Sequence, residues 1–144
     1  GCTVEEARQA IDNFIRAYPG LKDLKEVTIP RDAKRGYFEG IDGRLVVCDS
    51  EHLMLAGYLQ NGEATIMKHA NVLWRKWLQE EGIWFKQVNF VHDEWQTKVK
   101  NDLTIAERTG ILQSEAIKQT GINLNMNCPL SGSYSIGYNW LETH

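Results

Sequence analysis

Ile83-Trp84-Phe85-Lys86-Gln87-Val88-Asn89-Phe90 leads into Val91-His92-Asp93-Glu94, and Trp95-Gln96-Thr97-Lys98-Val99 leads out. Both apolar flanks have the make-up of β-strands, so a hairpin is predicted with the acidic pair Asp93-Glu94 at its turn. Two adjacent carboxylates held at a tight turn cannot both be buried without a compensating cation. Mg²⁺ suits them, since it prefers carboxylate oxygens and completes its shell with waters and substrate phosphates. The plain alternative is solvated turn chemistry, because Asp favours turns for backbone hydrogen bonds of its own. Taken alone, the acidic pair leaves that alternative ahead. The sharper reading, half of a two-metal phosphoryl-transfer site, depends on the rest of the chain.

Upstream, residues 51–80 contain no proline and only two glycines, Gly57 and Gly62. Leu55, Leu59, Ile66, Ala70, Leu73 and Trp77 recur at helical spacing, and Gly82 ends the run. Downstream, Asp102 is the expected N-cap of a helix through Ile117, stopped by Gly121. Ile122, Leu124 and Met126 then alternate with Asn123, Asn125 and Asn127, which predicts a half-buried strand. A last strand is expected over Ser133-Tyr134-Ser135-Ile136-Gly137-Tyr138. Nearer the N-terminus, residues 37–39 and 45–48 read as strands around the turn Gly40-Ile41-Asp42-Gly43. Thr3-Val4-Glu5-Glu6 is a capping box. It opens a helix carrying Val4, Ala7, Ile11, Phe14, Ile15 and Tyr18, which Pro19-Gly20 stops before a shorter helix through Leu21 and Leu24. Helices alternating with hairpins give an α+β class, with helices packed on one face of a small antiparallel sheet.

At 144 residues, 42% hydrophobic and 24% charged, the chain is an ordinary globular domain with a core of its own. A formal charge of −3 argues against coating nucleic acid by bulk charge and leaves room for a local basic face. No run approaches a membrane span and nothing resembles a signal peptide, so a cytoplasmic location is expected with no membrane partner. Cys2, Cys48 and Cys128 are widely spaced and odd in number, and read as free thiols. The chain begins with Gly1 instead of Met, which suggests a cleaved or processed product or a piece of something longer.

Four ordered segments resemble the C-terminal end of family A DNA polymerases, especially the phage branch. Gly40-Ile41-Asp42-Gly43-Arg44 is similar to the glycine-arginine turn that follows the fingers. Leu59-Gln60-Asn61-Gly62-Glu63-Ala64, running on to Lys68, resembles the glutamine-bearing helix of the palm. Val91-His92-Asp93-Glu94 resembles motif C, and Asn139-Trp140-Leu141-Glu142-Thr143-His144 the C-terminus of phage members. The resemblance covers residues 1–144 and implies a C-terminal palm segment lacking the upstream motif A and fingers motif B. It implies Asp93 as a ligand of two catalytic Mg²⁺ ions, with Glu94 the weaker adjacent carboxylate and a further carboxylate supplied from outside this chain. It further implies that His92 touches the primer terminus, Gln60 the minor groove, where acceptors are similar for all base pairs, and Arg44 the DNA backbone. Primer-template DNA, deoxynucleoside triphosphates and the missing N-terminal polymerase portion are the implied partners. Without that portion the chain is expected to be inactive.

Two departures stand out. The family usually has Asn four residues before the palm glutamine, where this chain has Ala56, and a smaller aliphatic residue where it has Trp95. Read without the resemblance, Gln60 is a surface residue, Trp74, Trp77 and Trp84 are core aromatics, and His144 a frayed end. Cys48 and His52 at a spacing of four are a weak zinc signal. Arg31, Lys34 and Arg35 read as a cationic loop diluted by Asp32 and Glu39. Two other function classes remain at this level: a non-enzymatic DNA-binding or assembly module with a palm-like fold, and a small metal-dependent nuclease.

Overall fold

Thr3 opens the first helix as its sequence dictates. In this computed structural model, which describes residues 1–48 and 50–143, the Thr3 hydroxyl accepts from the Glu6 N–H, and the Glu6 carboxylate accepts from the Thr3 N–H at 2.7 Å. Helix α1, Val4–Ala17, ends at Tyr18, and Pro19 opens α2, Pro19–Asp23. The missing proline N–H costs nothing at that first position. The helical path then outlasts the short helix expected from sequence. A π-helical turn, Leu24–Thr28, passes into α3, Ile29–Arg35. Pro30 accounts for the widening: in a regular helix its ring would strike the Glu26 carbonyl, to which it has no N–H to offer. In the wider turn the Ile29 N–H reaches the Leu24 carbonyl instead.

Arg31, Lys34 and Arg35 therefore lie on α3, not in the solvated loop expected for them. Asp32, far from diluting a surface cluster, is only 4% exposed. Arg31 Nε donates to its Oδ1 at 2.9 Å, and Arg35 lies 3.4 Å from the same oxygen. A carboxylate so withdrawn from water requires such partners. Gly36, at φ 77°, ends α3 in the left-handed conformation that glycine adopts without cost. Strands β1, Tyr37–Glu39, and β2, Leu45–Val47, pair antiparallel. Phe38 is buried with Ile29 and Met54, and Leu24, Ala33, Val46 and Tyr58 pack around them. These elements form one of two compact units, Gly1–Gln60.

Helix α4 is Glu51–Glu80, as its pattern predicts. Its fully buried positions are Met54, Thr65, Met67, Ala70, Trp74 and Leu78, while Leu59 is exposed and Ile66, Leu73 and Trp77 are half-buried. The buried face is thus turned by about one residue from the expected one. Trp84, expected in the core, is exposed.

The second unit begins at Asn61. Its core joins Ala70, Trp74 and Leu78 of α4 to Leu112 and Ala116 of α5, Leu103–Asn123, with Phe85 and Trp95 against them. Asp102 caps α5 by accepting from the Thr104 and Ile105 N–H groups. Gly121 does not stop this helix, and no strand forms over residues 122–127 or 133–138. The reason is steric. The chain folds back along α5, setting Leu130 on Gly121, Gly132 beside Ile117 and the Tyr134 ring on Gly110. A Cβ on Gly110 would fall 2.4 Å from that ring. These glycines serve close approach, and the strap they admit ends in the short turn α6, Trp140–Thr143.

Strands β3, Phe85–Val91, and β4, Glu94–Val99, form the second antiparallel hairpin. The α+β class holds, but the strands make two separate two-stranded sheets instead of one. Among the described residues no helix is long and apolar enough to cross a membrane. Cys2, Cys48 and Cys128 are unpaired.

Candidate functional site

The β3–β4 hairpin owes its two faces to one extra residue. Gln87 pairs with Thr97 and Asn89 with Gln96, leaving Val88 as a β-bulge. In a regular strand Phe85 and Phe90, five residues apart, would point to opposite faces. The bulge restores them to the same one. There Phe85 meets Trp74 at 5.2 Å between ring centroids, Trp74 meets Trp95 at 5.8 Å, and Trp95 meets Phe90 at 5.9 Å. With that face committed to the core, the other is left to Asn89, Val91, Glu94 and Gln96.

Val91 pairs with Glu94, so the turn itself is only His92-Asp93. His92 sits at φ 50°, left-handed backbone that a histidine adopts at some cost. His92 and Asp93 are exposed at the apex, while Glu94 is half-buried where β4 begins. Gln96 Nε2 donates to Glu94 Oε1. Gln96 Oε1 accepts from the Thr143 hydroxyl at 3.4 Å. Asn89 Oδ1 accepts from the Phe90 N–H at 2.9 Å, tying that side chain to its own strand. Asn89, Val91, His92, Asp93, Glu94, Gln96 and Trp140 together line a recess of about 300 Å³.

Of the residues singled out in the sequence, His92, Asp93 and Glu94 are brought together here. Gln60 and Arg44 belong to the first unit. Gln60 is exposed on α4. Arg44 follows the β1–β2 turn, where its Nε donates to Asp42 Oδ2 at 2.6 Å and its N–H to Oδ1 at 3.3 Å. Burial acts upward on the Asp42 carboxyl, but the Arg44 N–H, guanidinium and charge outweigh it and hold the group below its ordinary value. His52 is exposed in the first turn of α4, and the Cys48 thiol donates to the Ser50 carbonyl at 3.6 Å. His144 lies outside the described residues.

Gln96 and Asn89 were not singled out by sequence reasoning, and Trp140 and Thr143 entered it only as part of the C-terminal segment similar to phage members. Gln96 carried a usable signal, since residues two apart on a strand share a face. Asn89 carried the same signal, two residues before Val91 and past the bulge. Trp140 and Thr143 arrive from the strap, which no local pattern announces.

The model of the DNA polymerase family A matches residues 1–142. The chain belongs to that family. Among its relatives, a DNA-directed DNA polymerase of Escherichia phage Phieco32 is 34% identical over 78% of this chain and 19% of its own length. A DNA polymerase I of Pseudomonas aeruginosa is 30% identical over the whole chain and 16% of its own length. The DNA-directed DNA polymerase of Escherichia phage T7 is 32% identical over 77% of this chain and 16% of its own length. The chain thus spans less than a fifth of these relatives. A solved structure, the POL domain of Pol1 from M. smegmatis in complex with DNA primer-template and dNTP, shares the fold at a TM-score of 0.72 and 19% identity, over 89% of this chain and 23% of that one.

Mg²⁺ takes oxygen ligands and retains several waters, asking one or two carboxylates of the protein. Asp93, exposed at the apex, and the adjacent Glu94 fit such a demand in part. Among the described residues no group of three or more His, Cys, Asp or Glu is gathered to hold a metal. Two adjacent carboxylates are thus what the apex offers a hydrated Mg²⁺ ion.

Proposed function

We propose that this chain supplies the motif C carboxylates for template-directed nucleotidyl transfer in DNA replication, acting as the C-terminal palm segment of a phage-type DNA polymerase. The observation that carries the reading is the hairpin apex, which lifts His92, Asp93 and Glu94 out of a two-residue turn in a chain matching family A over residues 1–142. In the reaction, the primer 3′ oxygen bonds to the α-phosphorus of an incoming deoxynucleoside triphosphate, and pyrophosphate leaves with the electrons of the broken P–O bond. Mg²⁺ would neutralise charge on the attacking and leaving oxygens. Asp93 would be its direct ligand here, Glu94 a weaker one, and a carboxylate from the upstream polymerase portion would complete the pair of ions.

The remaining residues position substrate. Exposed His92 is placed to donate to the primer terminus. Gln60, a neutral amide on an exposed helix position, suits a minor-groove acceptor. Arg44 would reach a backbone phosphate, in competition with Asp42. Catalysis of this kind is positioning plus electrostatic stabilisation, so groups fixed on a hairpin serve it better than groups on a loose loop. If phage-encoded, such a polymerase would replicate phage DNA in the cytoplasm of the bacterial host cell.

The test is primer extension by the full polymerase carrying this chain. Asp93→Ala is expected to abolish magnesium-dependent extension while leaving DNA affinity intact. Undiminished extension by that variant overturns the reading. DNA cleavage without nucleotide, lost in Asp93→Ala, would assign the site to a nuclease instead.

A further inference from the structure

We propose that Gln96 is a positioning residue for the Glu94 carboxylate, and that Thr143 of the C-terminal turn α6 reinforces the direction in which Gln96 points. The inference rests on the reading of Asp93 and Glu94 as the metal-binding pair.

Gln96 follows Glu94 by two residues on β4, so both side chains stand on the recess face. A glutamine amide has one donating end and one accepting end. Here Nε2 donates to Glu94 Oε1, and Oε1 accepts from the Thr143 hydroxyl at 3.4 Å. The same hydroxyl proton also faces the Trp140 carbonyl at 3.1 Å, so the Thr143 link is the weaker of the two. Turning the amide over would set its oxygen against the Glu94 carboxylate, which has no proton to offer it. The charge-assisted bond to Glu94 thus fixes the amide, and Thr143 reinforces it.

Thr143 is no loose end. The Glu142 carboxylate accepts from the Tyr138 N–H at 2.7 Å and from Asn139 Nδ2 at 2.6 Å, which ties the turn down. A ligand displaced by roughly 1 Å costs on the order of a hundred-fold in rate, so holding the Glu94 side chain has functional weight.

The experiment is a double-mutant cycle in the full polymerase. Gln96→Glu keeps the shape but puts a second carboxylate beside Glu94, and Gln96→Leu removes both hydrogen bonds. Each is expected to lower the single-turnover rate roughly ten-fold with nucleotide affinity unchanged, and to weaken Mn²⁺ binding in calorimetry by a similar factor. Thr143→Val, which removes only the hydroxyl, should cost roughly two-fold. In a Glu94→Ala background the same Gln96 changes should cost nothing further, because their target is gone. Equal losses with and without Glu94, or full rate and full Mn²⁺ affinity in both Gln96 variants, would overturn the inference. An Asp93→Ala control separates the two levels. If it retains activity, the acidic-pair reading falls; if it is dead while the Gln96 variants run at full rate, only the tether falls.

Discussion

Asp93 and Glu94 are neighbours in sequence but not in circumstance. Asp93 stands in a two-residue turn, exposed, and Glu94 already belongs to a strand and carries a hydrogen bond from Gln96. The difference predicts unequal roles. Asp93→Ala is expected to slow the chemical step by several orders of magnitude, since only a direct ligand fixes the metals in the transition state. Glu94→Ala should cost far less. Single-turnover rates that fall equally for both variants would show the roles misassigned. His92 gives a second test at this scale, because its φ of 50° selects for what can replace it. Asn adopts left-handed backbone readily and should leave the hairpin intact. A β-branched residue should not: His92→Val is expected to lower stability by about 1–2 kcal/mol, read from denaturant melts. A melt unchanged by valine would mean the turn relaxes to another conformation at no cost.

Among the elements, those with a local cause were legible in the sequence and those with a tertiary cause were not. The capping box at Thr3, the long helix Glu51–Glu80, the Asp102 cap and both hairpins follow from residues close together in the chain. Gly121 misled because a glycine near a helix end ordinarily marks its stop, whereas here it admits Leu130. The Ile122-to-Met126 alternation misled because α5 runs on through Asn123 and the chain then turns, with Asn125 at φ 53°, instead of extending. The acidic apex of the site was readable; its wall, brought in by the strap, was not. Gly110→Ala should expose that dependence. Its new methyl would collide with the Tyr134 ring, so the strap must lift, with a loss of about 1–3 kcal/mol and faster hydrogen exchange at the Tyr138 and Glu142 amides. Unchanged exchange there would show that the strap and α6 are anchored independently of Gly110. The end of α4 is joined to α5 by a different device, Arg108 Nε donating to Glu81 at 2.9 Å. That hydrogen bond, opposed by some burial and helped by the guanidinium charge, holds the Glu81 carboxyl below its ordinary 4.5. A depressed carboxyl adds stability above its unfolded value and loses it as pH falls through the folded one. Arg108→Gln should therefore lower the melting temperature slightly at neutral pH and not at all well below pH 4.5. An equal loss at both pH values would point to packing instead of charge.

At the scale of the whole molecule, the hairpin apex offers one carboxylate pair, and the described residues gather no third metal ligand beside it. The purified chain alone is accordingly expected not to extend a primer, and extension by it would show a complete site. DNA affinity poses a separate question, since a net charge of −3 leaves binding to a few placed groups. Gln60 and Arg44 are the two groups proposed for that role, and they are of opposite kind. Gln60 is exposed and neutral, so Gln60→Ala should leave the salt dependence of DNA affinity unchanged. It should instead weaken discrimination against a mismatched primer end by roughly five-fold, about the worth of one hydrogen bond. Arg44 carries charge, but Asp42 already holds its guanidinium at 2.6 Å. If a phosphate displaces that carboxylate, Arg44→Ala should flatten the salt slope by about one unit. Asp42→Asn should then tighten DNA binding, because the guanidinium is released from its local partner. Salt titrations of the three variants, run beside extension from matched and mismatched ends, separate these roles. A flatter slope in Gln60→Ala would remove it from the minor groove. No change in slope for Arg44→Ala would mean that Asp42 retains the guanidinium when DNA is bound, leaving Arg44 as a brace of the β1–β2 turn.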